Sequence, residues 1–560
     1  MILADLSQER ISRLLDRESR KVIHKDRETF MPVQWEGRFD IDLVSGFKEF
    51  RVRDNWHSKH YITIYDCAGI FQSSFLKAIR AWEIGTEEEW QTIEEGKTGR
   101  SSFGIANDEI RYYNHLECTL LAQMMEKVRD ACNAVNIYPT KWTGAGQLAE
   151  SLLRTHHMED YQSVLPPVLE LPASTAYFGG RFEILRQGIV NNIYEYDINS
   201  AYPDAMRSVP CLSHGRWEPG VKSNVYIAHL QWTLKDSTVD EPQPFPFRQD
   251  NGTIVYPANG RGWYWCHEVE AAKEIGKWDI RVDKVWSWIQ ECDHQPFDWI
   301  GPLYEYRKQL GGPRGQVLKL AMNSLYGKMV QSIGHPRFRS IVMGGLITSY
   351  VRARLLRDAH QQGGCVMFAT DAIYFQSEAQ LPTGDSLGQY GLQHFQSYFI
   401  FQPGIHFSIG GTLSKKKTRG VPITMLDPDR IVRIWREDGN LGLYTFNNSK
   451  FWGIRLCNHT NHMEMLGQWT NEPKSLVYGS VIAKRQYEPK GQRSPVPPVT
   501  KEGQYWRLLA YEFAPVNAKE SAVYDRAIKM APETIEKYMA MENEPDYPLW
   551  YQEIDSLKGE

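Results

Sequence analysis

Three short blocks carry the side chains of this chain best suited to phosphoryl chemistry. They are Asp197-Ile-Asn-Ser-Ala-Tyr202-Pro203, Lys319-Leu-Ala-Met-Asn323-Ser324-Leu-Tyr326-Gly327 and Phe368-Ala-Thr-Asp371-Ala-Ile. The first and third each offer a carboxylate on an expected strand. The second offers a cation, an amide and an aromatic ring on an expected helix. Phosphoryl transfer requires charge to be neutralised on the attacking and leaving oxygens, which two metal ions about 3.5–4 Å apart can do. Mg²⁺ takes one or two protein carboxylates and keeps its other positions for water and phosphate. Two aspartates on neighbouring strands therefore suffice for two Mg²⁺ ions, with Mn²⁺ as the alternative. Lys319, Asn323 and Tyr326 stand at i, i+4 and i+7, on one face of a helix. A lysine there can meet a triphosphate as a point charge. Taken singly, Asp197 reads equally as the end of a strand and Asp371 as part of a turn. The intervening helical block is what makes the pair informative.

The elements that must position these residues can also be read. Ile193–Asp197 is rich in Tyr and Ile and reads as a strand ending at the aspartate. Ile347–His360 reads as a helix closed by Gly363-Gly364, and Val366–Phe375 as a strand or tight hairpin carrying Asp371. Asp197 and Asp371 are thus expected on adjacent strands of one sheet. Residues 1–30 are highly charged and helix-like, Trp35–Ala68 contains short β-type runs, and Leu116–Val135 has the apolar spacing of one helix. Val164–Pro172 reads as a linker, and Pro489–Thr500, with four prolines, as an exposed loop.

With 560 residues the chain is too long for one core, and several domains are expected. Its 42% hydrophobic and 24% charged content is that of a globular protein. The net charge of −4 is unremarkable, but its distribution is uneven. Tyr304–Asp358 holds ten Lys/Arg against two acids, and Phe401–Leu426 holds four Lys/Arg and no acid. A basic groove in an acidic body suits a phosphate backbone, although either cluster alone reads equally as a solvated charged face. The eight cysteines look scattered, with no Cys-x-x-Cys, so neither a zinc site nor a disulfide scaffold is expected. The longest uncharged apolar stretch, Ser340–Val351, is too short to span a bilayer, and no signal-peptide core opens the chain. A soluble protein with no membrane contact is expected, in the cytoplasm.

In their order along the chain, the three blocks resemble motifs A, B and C of family B DNA polymerases, of the phage and mobile-element type that includes the protein-primed subgroup. The resemblance implies an α+β multidomain fold. A degenerate RNase H-like exonuclease domain (1–165) would precede a right-hand polymerase: palm (166–300 and 361–425), fingers (301–360), and thumb with the C-terminal region (426–560). It implies that Asp197 and Asp371 are catalytic and hold the metals with the Ile198 carbonyl. Ser200, Ala201, Tyr202, Arg307, Lys319, Asn323, Tyr326 and Gly327 would line the dNTP site, Tyr202 excluding a 2′-hydroxyl. Tyr177-Phe-Gly179-Gly180 is similar to the family's Tyr-x-Gly-Gly motif. With Thr370, and with Lys417 and Arg419 of the basic run, Tyr177, Gly179 and Gly180 are implied to contact DNA. The family's third block usually carries two aspartates, and here the first is Ala369.

The implied partners are primer–template DNA and dNTPs, with a terminal protein, helicase or processivity factor beside them. Lys319 and Asp371 are 52 residues apart, too close to admit the extra hairpin of protein-primed members, so unaided strand displacement is not expected. In the N-terminal region Asp40, Tyr113 and Glu117 match parts of the family's proofreading motifs, but no Asp-x-Glu precedes them convincingly, and proofreading is not expected. Two readings therefore stand: a DNA-directed DNA polymerase, and a catalytically inactive relative that binds DNA as a structural subunit, to which Ala369 points.

Overall fold

The computed structural model describes residues 6–477, apart from 17, 25–26, 45–48, 72, 100–107, 162–164, 187, 237–240, 249–253, 332–335, 403, 413, 419–426, 439–442, 454–455, 458–459 and 461. It divides into two compact units. One comprises the described residues of 1–159, 302–339 and 449–470, and the other the described residues of 160–301, 340–448 and 471–477.

The second unit is built on a seven-stranded sheet. Its order is Lys416–Thr418, Ile405–Ser408, Tyr390–Gln402, Gly188–Ile198, Ala372–Phe375, Cys365–Thr370, Arg181–Ile184, and every neighbouring pair is antiparallel. Gly188–Ile198 is central and long because Ile, Val and Tyr dominate it. Ile193, Val190, Tyr374, Phe395, Tyr398 and Ile400 bury one cluster of apolar side chains on this sheet. The helix Ile341–Gln362 is apolar around most of its girth. Ser340 caps its start by accepting from the Met343 N–H, and Gly363 at φ 68° ends it. It packs on the helices Ala201–Met206 and Cys266–Ile275. A second antiparallel sheet in this unit orders Asn259–Trp265, Tyr226–Leu234, Trp278–Gln290 and Gly215–Pro219.

The first unit holds an antiparallel meander of Val33–Trp35, Phe39–Val44, Glu49–Asp54 and Ile62–Tyr65. It also holds the 26-residue helix Asp108–Asn133 and the helix Gly312–Met329, which packs against Ala145–Thr155. Gly312–Met329 starts from Gly311 at φ 56° with Pro313 in its first turn, and it buries Val317, Leu318, Ala321, Met322, Leu325 and Met329 along one stripe.

Several local expectations require correction. Residues 1–30 form only one short helix, Gln8–Leu15, followed by a hairpin of Lys21–His24 and Arg27–Phe30. Val22, Ile23 and Thr29 there are β-branched, a preference that charge density conceals. The expected linker contains a helix, Pro167–Thr175, because Pro167 sits in its first turn, where proline is tolerated, and Val168, Leu169 and Ala173 are buried. The cysteines are not all scattered in space, since Cys211 and Cys292 meet two histidines. Arg419 and the Pro489–Thr500 loop lie outside the described residues. Among the described residues no helix is long and apolar enough to cross a membrane.

Candidate active site

The expected hairpin exists, and its turn is tight. Ala369 pairs with Ala372, leaving Thr370 and Asp371 as the two loop residues. Thr370 takes φ 67°, a position that normally favours glycine. A β-branched residue held there costs on the order of 1–3 kcal/mol, a kind of strain that clusters at functional sites. Asp371 hydrogen-bonds through its own N–H to the Ala369 carbonyl at 3.0 Å, and its carbonyl accepts from the Ile198 N–H at 3.1 Å. Asp197 lies directly across from Ala372. The two aspartates therefore meet at one end of two paired strands.

Their electrostatics follow from that meeting. The Asp371 carboxyl is pushed up to about 7, first by burial and then by the negative charge of Asp197, while Lys417 opposes the shift and Glu195 adds to it. Asp197 is also raised, by burial and by Glu195, against Lys415 and Lys417. Its carboxylate keeps contact with water, but protein crowds it on the other sides, so it is poorly solvated without being sealed off. Two raised carboxyls beside a third, Glu195, are a donor set short of positive charge, as a divalent cation site must be.

Glu195 is a residue the motifs did not flag. Two residues before Asp197 on the same strand, it projects from the same face. Tyr374 donates to Glu195 Oε1 at 2.7 Å, and the Lys415 ammonium pairs with the same carboxylate. Oε2 is buried with no hydrogen-bond partner among the described residues. The period-two spacing Glu195-x-Asp197 was the available signal. Lys415 immediately precedes the short strand Lys416–Thr418, and the exposed Lys417 lies within it, opposite His406 in the register. The basic run thus reaches the carboxylates through the sheet.

Tyr202 and the glycine pair join the same place. A Cβ added to Gly180 would fall 2.6 Å from Thr370 Cγ2 and 2.7 Å from the Tyr202 hydroxyl, so only glycine fits. Arg352, almost fully buried, donates to the carbonyls of Phe178 and Gly179 at 2.6 Å each, and its Nε pairs with Glu268 at 2.8 Å. Arg352 is a second residue missed in sequence, since nothing near it in the chain announces the distant loop it holds. Tyr177 is half-buried, and its carbonyl accepts from Arg248 at 3.3 Å, while Gly179 is exposed. Ser200 occupies the left-handed region (φ 52°, ψ 55°) at the start of Ala201–Met206, and Ala201 is buried beneath it.

The sheet unit therefore brings together Asp197, Ile198, Tyr202, Gly180, Thr370, Asp371 and Lys417. In the other unit, Gly312–Met329 leaves Lys319, Asn323 and Gly327 exposed and Tyr326 half-buried, opposite its apolar stripe. Arg307, on the helix Ile300–Leu310, stacks its guanidinium 4.5 Å from the Tyr304 ring.

Asp40 has a different setting. It is buried in the four-stranded meander, paired with Arg53, and it accepts from Gln34 and from Asn55, the latter at 2.8 Å. Tyr113 is buried in its helix against Gly96, and Glu117 lies one turn further on, half-buried.

Residues 79–337 match the family described as DNA polymerase type B, organellar and viral. A DNA polymerase of Acidianus bottle-shaped virus (isolate Italy/Pozzuoli) is 25% identical over 333 residues, covering 54% of this chain and 49% of that protein. The fold matches that of Phi29 DNA polymerase in its ternary complex with a TM-score of 0.55 and 14% identity, over 77% of this chain and 83% of that one. Over residues 79–337 this chain is similar to the type B DNA polymerases, organellar and viral. It is also similar to the primer-independent DNA polymerase PolB of Escherichia coli, 25% identical over 175 residues, 28% of this chain and 20% of that protein. The chain spans about half the length of the first of these relatives and a fifth of the second.

Proposed function

We propose that this protein is a DNA-directed DNA polymerase that extends a primer on a template with dNTPs. The observation that carries the proposal is the Asp197–Asp371 pair. Burial and Glu195 raise both carboxyls of these paired strands, Asp197 raises Asp371 further, and Glu195 has a buried oxygen with no hydrogen-bond partner among the described residues. That donor set fits divalent cations, and Asp197, Asp371 and the Ile198 carbonyl would hold two Mg²⁺ ions, or Mn²⁺ in their place. When bound, the ions supply the positive charge that the attacking and leaving oxygens need.

The remaining work falls to the chain itself. Ser200 and the backbone leading into Ala201–Met206 open a helix toward the triphosphate. Lys319 and Arg307 add point charge to it, and Asn323, Tyr326 and Gly327 present a flat polar face to the nascent base pair. Tyr202 closes the sugar position against a 2′-hydroxyl, held there by its contact at Gly180. Tyr177, Gly179, Gly180, Thr370 and Lys417 contact primer–template DNA, with Lys415 and Lys417 near the primer's phosphates. In domain terms, the seven-stranded sheet is the palm and the helices within 301–329 belong to the fingers. The 341–362 helix, expected with the fingers, is reassigned to the palm because it lies in the same compact unit as that sheet. The N-terminal meander acts as a scaffold rather than a nuclease, because Asp40 is already neutralised. Ala369 favours the second reading, a non-extending DNA-binding subunit. It stands on the same face as Asp197, where the family's additional carboxylate would project.

Extension of a labelled primer–template by the purified protein in Mg²⁺, with dNTPs and separately with rNTPs, tests the proposal. Extension with dNTPs alone is the expected result. Folded protein that binds primer–template and extends nothing would establish the second reading.

A further inference from the structure

The sequence carries Cys211-x-x-His214 and, 78 residues after His214, the separate pair Cys292-x-His294. Cys211 and His214 immediately precede the strand Gly215–Pro219, and Cys292 and His294 follow the strand Trp278–Gln290. These two strands pair so that Gly215 faces Gln290, and the Glu291 N–H then donates to the His214 carbonyl at 2.9 Å. The register thus closes the two loops on each other. All four ligand atoms lie within 4.8 Å of one another. His214 Nδ1 is 3.1 Å from His294 Nδ1, and Cys211 Sγ is 3.3 Å from His214 Nδ1.

A tetrahedral ion with metal–nitrogen bonds of about 2.0–2.1 Å and metal–sulfur bonds of about 2.3 Å spaces its ligand atoms roughly 3.3–3.8 Å apart. The four atoms already approach that spacing. Two thiols and two imidazoles in a tetrahedral set select zinc over the hard cations of the carboxylate site.

We propose that Cys211, His214, Cys292 and His294 bind one structural zinc ion at the end of the four-stranded sheet. The surroundings are those of a held site. Trp288 Nε1 donates to the Cys211 carbonyl at 2.9 Å. Gln290 Nε2 donates to the carbonyls of Cys292 at 2.6 Å and His294 at 3.2 Å, and Tyr161 packs edge-on to the His294 ring at 5.9 Å. Such partners fix the loops and orient the ligands. Cys211 is fully buried and Cys292 half-buried, while both histidines reach the surface, so an ion can enter from solvent. The consequence for the fold is specific. The segment that carries Asp197 and Tyr202 runs through Ala201–Met206 directly to Cys211, so zinc would pin its far end to the strand ending at Gln290.

The test is the metal content of full-length protein desalted in Mg²⁺ buffer without chelator, measured by elemental analysis. One zinc per chain is expected for wild type and for the control Cys118→Ser, which alters an exposed cysteine. Cys292→Ser and His294→Ala are expected to fall toward zero. Because Cys292→Ser can disturb folding, the wild-type protein is also stripped and titrated with Co²⁺, expecting a tetrahedral d–d spectrum with thiolate-to-cobalt charge transfer at one equivalent. Wild type without zinc and without that spectrum overturns the proposal. So does zinc retained at equal stoichiometry by Cys292→Ser/His294→Ala, or a Cys211–Cys292 disulfide found by non-reducing peptide mapping.

Discussion

Asp371 and Asp40 are both aspartates of antiparallel sheets, yet their neighbours treat them in opposite ways. Asp40 is wrapped by Arg53, Gln34 and Asn55, and the nearby Asp42 and Glu49 are likewise matched by Arg20 and Lys141. Asp371 instead faces Asp197, with Glu195 beside them, and the lysines present do not prevent its carboxyl from rising to about 7. A carboxylate whose charge is matched by protein contributes to the fold and has nothing left for a metal. A carboxylate left short of positive charge burdens the fold until a cation arrives. The difference separates a structural acid from a functional one more sharply than the motif letters do.

The widest break of that comparison is in activity. Asp197→Ala and Asp371→Ala should each reduce primer extension by about 10³-fold or more, the scale of losing transition-state charge stabilisation in phosphoryl transfer. Asp40→Ala should leave the rate within about twofold in folded protein, since nothing in the proposed chemistry passes through it. Single-turnover extension rates check both, and a comparable loss from Asp40→Ala would give the N-terminal meander a role beyond scaffold. A smaller break concerns the sugar. Tyr202→Ala should raise rNTP incorporation relative to dNTP by about 10–100-fold, the scale on which a packing contact discriminates substrates. Gly180→Ala, whose methyl would collide with Thr370 and the Tyr202 hydroxyl, should lower dNTP extension and loosen the same selectivity. Tyr202→Ala with unchanged selectivity would place the gate elsewhere.

The next effect should reverse sign between the two sites. In metal-free buffer Asp371→Asn removes a strained charge and should stabilise the protein by about 0.5–2 kcal/mol, as relief at functional sites does. Asp40→Ala strands the partners of a buried carboxylate and should destabilise it by about 1–3 kcal/mol, the lower part of that range being favoured because Arg53 can turn to water. Thermal or urea unfolding in chelator measures both, and two changes of the same sign would remove the distinction.

The site was more legible in sequence than its supports. Tyr and Ile in Gly188–Ile198, and the glycines closing Ile341–Gln362, are local signals, so neighbouring residues alone suffice to place the aspartate strand and its partner. What holds the site is non-local. Arg352 grips the Phe178-Gly179 carbonyls from more than 170 residues away, and Lys415 reaches Glu195 only through strand order. The Cys211–His214 and Cys292–His294 pairs escaped notice for the same reason, since neither is a familiar spacing until the register Gly215–Gln290 joins them. Local errors came from weighing charge or proline count above position. Lys21–His24 is a strand despite its charged surroundings, and Pro167 begins a helix because its ring suits a first turn.

The smallest effect is also the most direct reading of the carboxylate pair. The Asp371 carboxyl goes from 3.8 unfolded to about 7 folded, so between those values the folded chain holds a proton that the unfolded chain has released. Stability must then fall as pH rises from about 4 to about 7, and this contribution should be level above that. A divalent cation binds the ionised pair, so Mg²⁺ must displace the proton at low pH and meets no such competition at high pH. Saturating Mg²⁺ should therefore raise the melting temperature more at about pH 8 than at about pH 5.5, by a few degrees, and Asp371→Asn should flatten the difference. Asp40→Asn should preserve the Mg²⁺-dependent pH response whatever it does to the melting temperature itself. Equal Mg²⁺ shifts at both pH values in the wild type would mean that the two carboxylates do not share the cation, and that the contrast with Asp40 is one of burial alone.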